Sequence, residues 1–236
     1  RAAAGGPPRL PARVLRAGLA FSFAVQVTMT AVSCWAFTYA VCSLGLPQRV
    51  AAAVPAVFYA SCTLARVALV PVSSRLLPST IMHAGALLAG SAAVLFYWVD
   101  GWLVEQAARG QAPGRGCQGL LLACFAMMGA GFCPHHTMTI AAMQRHGTLS
   151  PQVHGWYGTS TCLGITFGMF LPGMFGLPLI ELLGSLAILL IINGRSRDFP
   201  RWSWLPAQGV EGTVRPPSKV VLHALVAPWQ ECAGGA

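Results

Sequence analysis

Residues 17–44, AGLAFSFAVQVTMTAVSCWAFTYAVCSL, contain no charged side chain and only scattered amide and hydroxyl groups. A hydrocarbon core of about 30 Å is crossed by roughly 20 apolar residues in an α-helix. This stretch exceeds that minimum and is dominated by Ala, Val, Phe and other apolar residues. It therefore predicts a helix that crosses a membrane.

The whole chain has the same character. Of its 236 residues, 55% are hydrophobic and 9% are charged, whereas about 25% of the residues in a soluble domain are charged. So few charges cannot cover a surface that faces water, and so much hydrophobicity does not fit a disordered chain. The net charge of +9 lies mostly at the edges of apolar runs, which indicates membrane topology and not a nucleic-acid partner.

Apolar runs recur and predict an all-α, polytopic membrane protein with six transmembrane helices. The last two are separated by LPGMFGLP at 171–178, whose prolines and glycines favour a tight reversal. Residues 1–16 are then a cytoplasmic linker, although their Ala, Gly, Pro and Arg content also resembles a transit peptide. Residues 195–236 are a basic, Pro-rich cytoplasmic tail. The spans are expected at 17–44, 50–74, 79–99, 118–142, 154–174 and 176–194.

The connections predict an orientation and a repeat. Most Lys and Arg residues fall in the N-terminal segment, the 2/3 turn, the 4/5 loop and the tail. Positive residues are enriched on the cytoplasmic side, so both termini are expected there, as an even number of spans requires. The polar connection 98–119 divides 17–194 into two groups of three spans. This spacing is typical of a 3+3 inverted repeat in transporters.

Several motifs carry a family resemblance. CWAFTYAVCSLGL at 34–46 and VFYASCTLARVALVPVSSRLLPSTIM at 57–82 resemble the seventh and eighth helices of major facilitator superfamily transporters. Within that superfamily the second motif is most similar to the sodium-dependent glucose transporter-like branch. FCPHH at 132–136 and FLPGMFG at 170–176 are similar to parts of its tenth and eleventh helices.

The resemblance implies that the chain is the C-terminal six-helix half of a twelve-helix transporter. Such a protein moves a small organic solute, in this branch a sugar, by alternating access. Its partners would be the lipid bilayer, the solute, and an N-terminal six-helix half or a second six-helix bundle. The first residue, Arg1, is not Met, which fits a half. The alternative is a six-helix membrane scaffold or subunit without transport activity of its own.

Arg66 lies well inside the second span, where a charge costs about 2.5–3.5 kcal/mol. The resemblance assigns Arg66 and Arg75 to gating and packing, while solute contact and snorkelling are alternatives for Arg66. The first five spans as delimited contain no acid, so Arg66 needs a carbonyl, a helix C-terminus or a group in the other half. Glu181 is expected to be a solvated carboxylate at the outer end of the sixth span. Ion coupling through this half is therefore not expected.

The first span has two polar stripes on nearly opposite faces. One stripe is expected to face the pathway, because amides, hydroxyls and aromatic rings bind neutral hydroxylated solutes. Helix packing and interfacial anchoring are the alternative roles. The stripes are Gln26, Thr30 and Ser33, and Thr28, Trp35 and Tyr39. The candidate solute-binding residues among them are Gln26, Thr30, Trp35 and Tyr39.

The fourth span is expected to kink at Pro134, because proline lacks a backbone donor. His135 shares a helical face with Thr139, and both are candidates for solute binding. For His135, pH sensing and a hydrogen-bonded packing role are the alternatives. Cys133, His135 and His136 are not expected to share a metal, because consecutive side chains diverge on a helix. The sequence contains no catalytic motif, so neither an enzyme nor a cofactor is expected.

Overall fold

The computed structural model describes residues 10–111 and 114–193. This part of the chain is all-helical and contains no β-strand. The bounds of the helices follow. They are α1 Ala12–Cys42, α2 Gln48–Ser73, α3 Pro78–Ala108, α4 Arg115–Phe132, α5 His135–His146, α6 Pro151–Phe175 and α7 Leu177–Asn193.

The expected kink is present at Pro134, which lies between the end of α4 and the start of α5. Taken together, α4 and α5 form one bent rod, so the described residues contain six helical segments, as predicted. Four segments are long and apolar enough to cross a membrane: α1, α2, α3 and the bent rod at 115–146. The apolar stretch Leu177–Ile191 of α7 is shorter.

Two predicted boundaries differ from the ends of the helices. Helix α1 begins at Ala12, so residues 12–16 of the segment predicted as a linker are helical. Helix α3 continues to Ala108, beyond the predicted end at residue 99. The polar connection predicted at 98–119 begins with helix instead, since a helical Gly such as Gly101 costs only about 1 kcal/mol. The tail predicted at 195–236 and the linker residues 1–9 lie outside the described part of the chain.

The helices pack in a regular pattern. Helix α1 contacts α6 and α7, whereas α4 contacts α2 and α3. Helices α3 and α7 contact each other, and α5 packs against α1 and α3. The core consists of apolar side chains from these contacts, among them Phe58, Phe96, Phe125 and Phe132, which are almost completely buried.

Two of the contacts depend on glycine. A Cβ atom at Gly168 of α6 would lie 2.5 Å from the carbonyl oxygen of Val27 in α1. A Cβ atom at Gly129 of α4 would lie 2.3 Å from the carbonyl oxygen of Phe58 in α2. Small residues allow such close approach of helix backbones. The glycines therefore fix α6 against α1 and α4 against α2.

Candidate functional site

A chain of polar contacts connects α1, α2, α5 and α6, and we call it the polar belt. The Tyr157 hydroxyl of α6 lies 3.2 Å from His136 Nδ1 of α5 and within hydrogen-bonding reach of Ser22 in α1. Ser22 Oγ is 3.0 Å from Thr161 Oγ1. The guanidinium of Arg66 in α2 lies near His136. The belt thus connects side chains from four helices, and its imidazole is exposed.

Arg66 is half-buried and its surroundings differ from those expected. Its side chain is within hydrogen-bonding reach of Cys133 and lies near Cys62. Among residues 10–111 and 114–193, it forms no ion pair with a carboxylate. The neighbours of Arg66 are therefore thiols and an imidazole from the bent rod and its own helix. A guanidinium whose charge no acid neutralises is available to an anionic or strongly polar group.

Three hydrogen bonds join α1 to other helices nearer its C-terminal end. The hydroxyls of Ser33 in α1 and Tyr59 in α2 form a hydrogen bond with each other. Trp35 Nε1 donates to the carbonyl oxygen of Met169 in α6 over 2.8 Å. The Tyr39 hydroxyl donates to the carboxylate of Asp100 in α3. Trp35 and Tyr39 therefore hold neighbouring helices in this conformation.

The other two candidates of the first span differ in exposure. Gln26 is half-buried, with its Cβ atom beside Gly164 of α6, and its amide forms no hydrogen bond within the described ranges. Thr30 is buried against Gly168. Gln26 consequently retains a free amide, whereas Thr30 packs between two helices.

The structure places His135 and Thr139 in the interior. His135 is 0% exposed, and its ring stacks on Phe21 with the centroids 5.3 Å apart. Neither ring nitrogen has a hydrogen-bond partner among the described residues. Thr139 is buried and donates to the carbonyl oxygen of His135 over 2.6 Å. In this conformation neither residue is accessible to a solute. Of the two adjacent histidines it is His136 that is exposed, and it was not among the predicted site residues.

Of the remaining predicted site residues, Arg75 lies at the end of a helix and Pro134 lies in the interior of the bundle. Arg75 is exposed beyond the end of α2, where its backbone N–H bonds to the carbonyl oxygen of Val72. Pro134 is buried at the bend of the rod. Pro134 thus lies between Cys133 and His136, the two neighbours of Arg66 in the bent rod, whereas Arg75 is nine positions after Arg66 in the chain.

The acidic side chains differ most from expectation. Asp100 lies within α3, so the first five helices are not free of acids. Glu181 was expected to be solvated, but it is 0% exposed. The reason is geometric, because α7 begins at Leu177 and packs against α1, α3 and α6, which places its second turn inside the bundle. Hydropathy along the sequence does not show which side of a helix is covered.

The described residues also form an apolar groove, but no metal-binding cluster of side chains. A groove of about 780 Å³ lies between α1, α6 and α7, and its lining is almost entirely apolar, including Phe23, Leu163 and Leu183. Its apolar lining is suited to hydrocarbon and not to a polar solute. Within the described residues, no group of three or more His, Cys, Asp or Glu side chains is arranged to hold a metal ion.

Comparison with known proteins assigns no family. No protein-family model, no curated protein and no solved structure matches this chain. The resemblance to major facilitator transporters therefore stands on the motif residues alone and is a hypothesis about function.

Proposed function

We propose that this chain is a membrane-embedded six-helix bundle that forms one half of a transporter for a small organic solute, with sugars as one candidate class. Insertion in a bilayer is supported by the four long apolar segments and by the low content of charged residues. In this proposal both termini lie in the cytoplasm, as the distribution of Lys and Arg favours.

The observation that carries the proposal is the symmetry of the helix contacts. The first triplet is α1, α2 and α3, and the second is the bent rod, α6 and α7. The first member of each triplet packs against the second and third members of the other, and the two third members contact each other. Exchanging the triplets leaves these contacts unchanged, and the contacts of α1 with α2 and of α6 with α7 lie outside the pattern. An inverted repeat, a common architecture of transporters, has this property.

The uncovered side of α1 is where the other half would bind. Ser33 points to α2 and Trp35 points to α6. Cys34, Phe37 and Thr38 lie between these two directions on the helix, and all three are exposed. In the proposal this strip faces the passage and is opposed by an N-terminal six-helix half or a second six-helix bundle.

The chemistry around this side suits a neutral hydroxylated solute. The Gln26 amide has no hydrogen-bond partner within residues 10–111 and 114–193, so it can donate to and accept from a solute, and the Trp35 ring is only half-buried. His136 adds a second exposed donor or acceptor beside Arg66. A few polar groups among apolar ones are typical of small-molecule sites. We assign solute contact to Gln26, Trp35 and His136, and a gating role to Arg66 through the polar belt.

Uptake measurements test the proposal. Labelled hexoses and other neutral polyols would be offered to cells that express the full reading frame containing this chain, and to cells that express this chain alone. We expect saturable uptake with the full reading frame and a loss of at least tenfold for Arg66→Ala or Gln26→Ala, at equal surface abundance. Arg109→Ala, an exposed arginine outside the polar belt, is the matched control and should transport normally.

The outcomes separate the candidate functions. Uptake that is unchanged in both variants would remove Arg66 and Gln26 from the mechanism. An absence of solute movement from both expressed proteins, together with stable binding of a second membrane protein, would favour the scaffold or subunit instead.

A further inference from the structure

Glu181 and Ser185 form a buried polar pair on one face of α7. They lie one helical turn apart, and their side chains are 0% and 2% exposed. Neither carboxyl oxygen of Glu181, nor Ser185 Oγ, has a hydrogen-bond partner within the described residues. Ile188 continues the same buried face. A carboxyl group is therefore enclosed where α7 meets its neighbours, and no group in the described part of the chain neutralises it.

The titratable groups on α1, α3 and α6, the three helices packed against α7, form no ion pair or hydrogen bond with Glu181. The acids of α3 are both occupied, since Asp100 accepts from Tyr39 and Glu105 accepts from Arg109 over 2.5 Å. No described residue forms an ion pair or hydrogen bond with Glu181. The titratable residues on these helices are Arg13, Arg16, Cys34, Tyr39 and Cys42 of α1, His83, Tyr97, Asp100 and Glu105 of α3, and His154, Tyr157 and Cys162 of α6.

The free-energy cost of burying an unpaired charge determines whether this carboxyl group is ionised or protonated. A buried charge without a partner costs several kcal/mol, and such a group becomes neutral instead. The start of α7 does not compensate for the charge, because the carboxyl oxygens accept no backbone N–H. A metal cation prefers six or more oxygen ligands in sites of the calcium or magnesium type. The site offers three unpaired oxygens, two from Glu181 and one from Ser185, whereas a proton requires only one.

We propose that Glu181 is a proton-binding site at the junction of α1, α3 and α7, occupied in this conformation and exchanged when α7 separates from α1. The contact that encloses it is tight, because a Cβ atom at Gly184 would lie 2.0 Å from Thr28 Cγ2 of α1. Water reaches the carboxyl group only when this contact opens. Proton release is thereby linked to a movement of helices, and its coupling to solute transport rests on the proposed function.

Infrared spectroscopy tests the proton directly. The full chain in lipid vesicles at pH 7 is compared with Glu181→Gln, an isosteric neutral variant. We expect the wild-type-minus-variant spectrum to contain the C=O stretch of a protonated carboxylic acid. Symmetric and asymmetric carboxylate stretches in this difference spectrum, in place of the C=O stretch, would overturn the proposal, because Glu181 would then be ionised. Glu105→Gln is the matched control, and its difference spectrum should contain the carboxylate bands.

A chemical test remains if Glu181→Gln does not fold. Dicyclohexylcarbodiimide dissolves in lipid and adds to a protonated carboxyl group, and the O-acylisourea rearranges to a stable N-acylurea that carries the whole reagent. We expect wild-type peptides containing Glu181 to gain that mass, while a water-soluble carbodiimide leaves Glu181 unmodified and modifies Glu105. Modification of Glu181 by the water-soluble reagent to the same extent as Glu105 would show a solvated carboxylate and contradict the proposal.

Coupling is tested separately, in vesicles that take up solute. An inward proton gradient should accelerate uptake by the wild type several-fold and leave uptake by Glu181→Gln unchanged. Uptake that ignores the gradient in the wild type would overturn the coupling while leaving the transporter intact. A protonated Glu181 in a protein that moves no solute would instead contradict the proposed function and leave the binding site standing.

Discussion

Asp100 and Glu181 are carboxyl groups on α3 and α7, two helices that contact each other, yet their surroundings are opposite. Asp100 is half-buried and accepts a hydrogen bond from Tyr39 of α1. Glu181 is fully buried and has no partner within the described residues. The first carboxyl group is a structural connection between two helices, and the second is the one proposed to bind a proton. In an apolar bundle, these two roles are distinguished better by whether a side chain donates a hydrogen bond to the carboxyl group than by how deeply the group is buried.

The largest effect is expected from Gly184→Leu, which would separate α7 from α1. Even a Cβ atom alone, if added at this position, would lie 2.0 Å from Thr28 Cγ2. Overpacking of this kind costs about 1–3 kcal/mol. The free energy of unfolding, measured by SDS titration of the protein in micelles, should fall by that amount. Gly101→Leu is the control, because nothing lies within 4 Å of a Cβ atom there. Equal loss in both variants would contradict a close contact at Gly184.

Tyr39→Phe should have the next largest effect, because it leaves Asp100 without its donor. Hydrogen bonds between membrane helices contribute about 0.6 kcal/mol on average and up to about 1.7 kcal/mol, so we expect a loss of about 1.5 kcal/mol for this bond to a carboxyl group. A double-mutant cycle with Asp100→Asn measures the interaction itself. The matched cycle of Glu181→Gln with Ser185→Ala should show no coupling, since these side chains are not bonded to each other. Coupling of the same size in both cycles would remove the contrast between the two carboxyl groups.

Much of the fold was accessible from the sequence, because helices that cross a membrane require long apolar runs. The six segments and the bend at Pro134 were predicted for this reason. The end of α3 was missed because charged residues were taken as a terminus, whereas Glu105 and Arg109 pair one turn apart and are compatible with helix. Such i, i+4 spacing is a signal that the sequence does contain.

The site was predicted less well, since burial depends on which helices meet. His135 was selected for the face that it shares with Thr139, but that face also carries Cys124 and Met128 and is the core. His136, one position later, is exposed and reaches Tyr157. The apolar neighbours of His135 were the available signal for a buried histidine. No pattern in the sequence pairs Tyr39 with Asp100, because they lie on different helices.

The two histidines extend the same comparison, and His135→Leu should have a smaller effect of opposite sign. Both ring nitrogens of His135 are buried without partners in the described part of the chain. Replacing an unsatisfied polar group by an apolar one of similar shape is nearly neutral or stabilising. We expect the free energy of unfolding to stay level or to rise by about 1 kcal/mol, with His136→Leu destabilising through loss of its contact with Tyr157. A clear loss of stability in His135→Leu would indicate a partner for the ring that this conformation lacks.

Glu105→Gln should have the smallest effect and provides the solvated reference for the other two acids. Glu105 and Arg109 are paired at 2.5 Å, but their side chains are 59% and 63% exposed. Water already stabilises both charges, and pairs of this i, i+4 type contribute about 0.3–0.5 kcal/mol. The small loss expected in low salt should disappear in high salt, because exposed charges are screened. The effects of Tyr39→Phe and Gly184→Leu should persist in high salt, because they arise from a half-buried hydrogen bond and from steric contact. A salt-independent loss in Glu105→Gln would place this acid in the interior with Asp100 and Glu181.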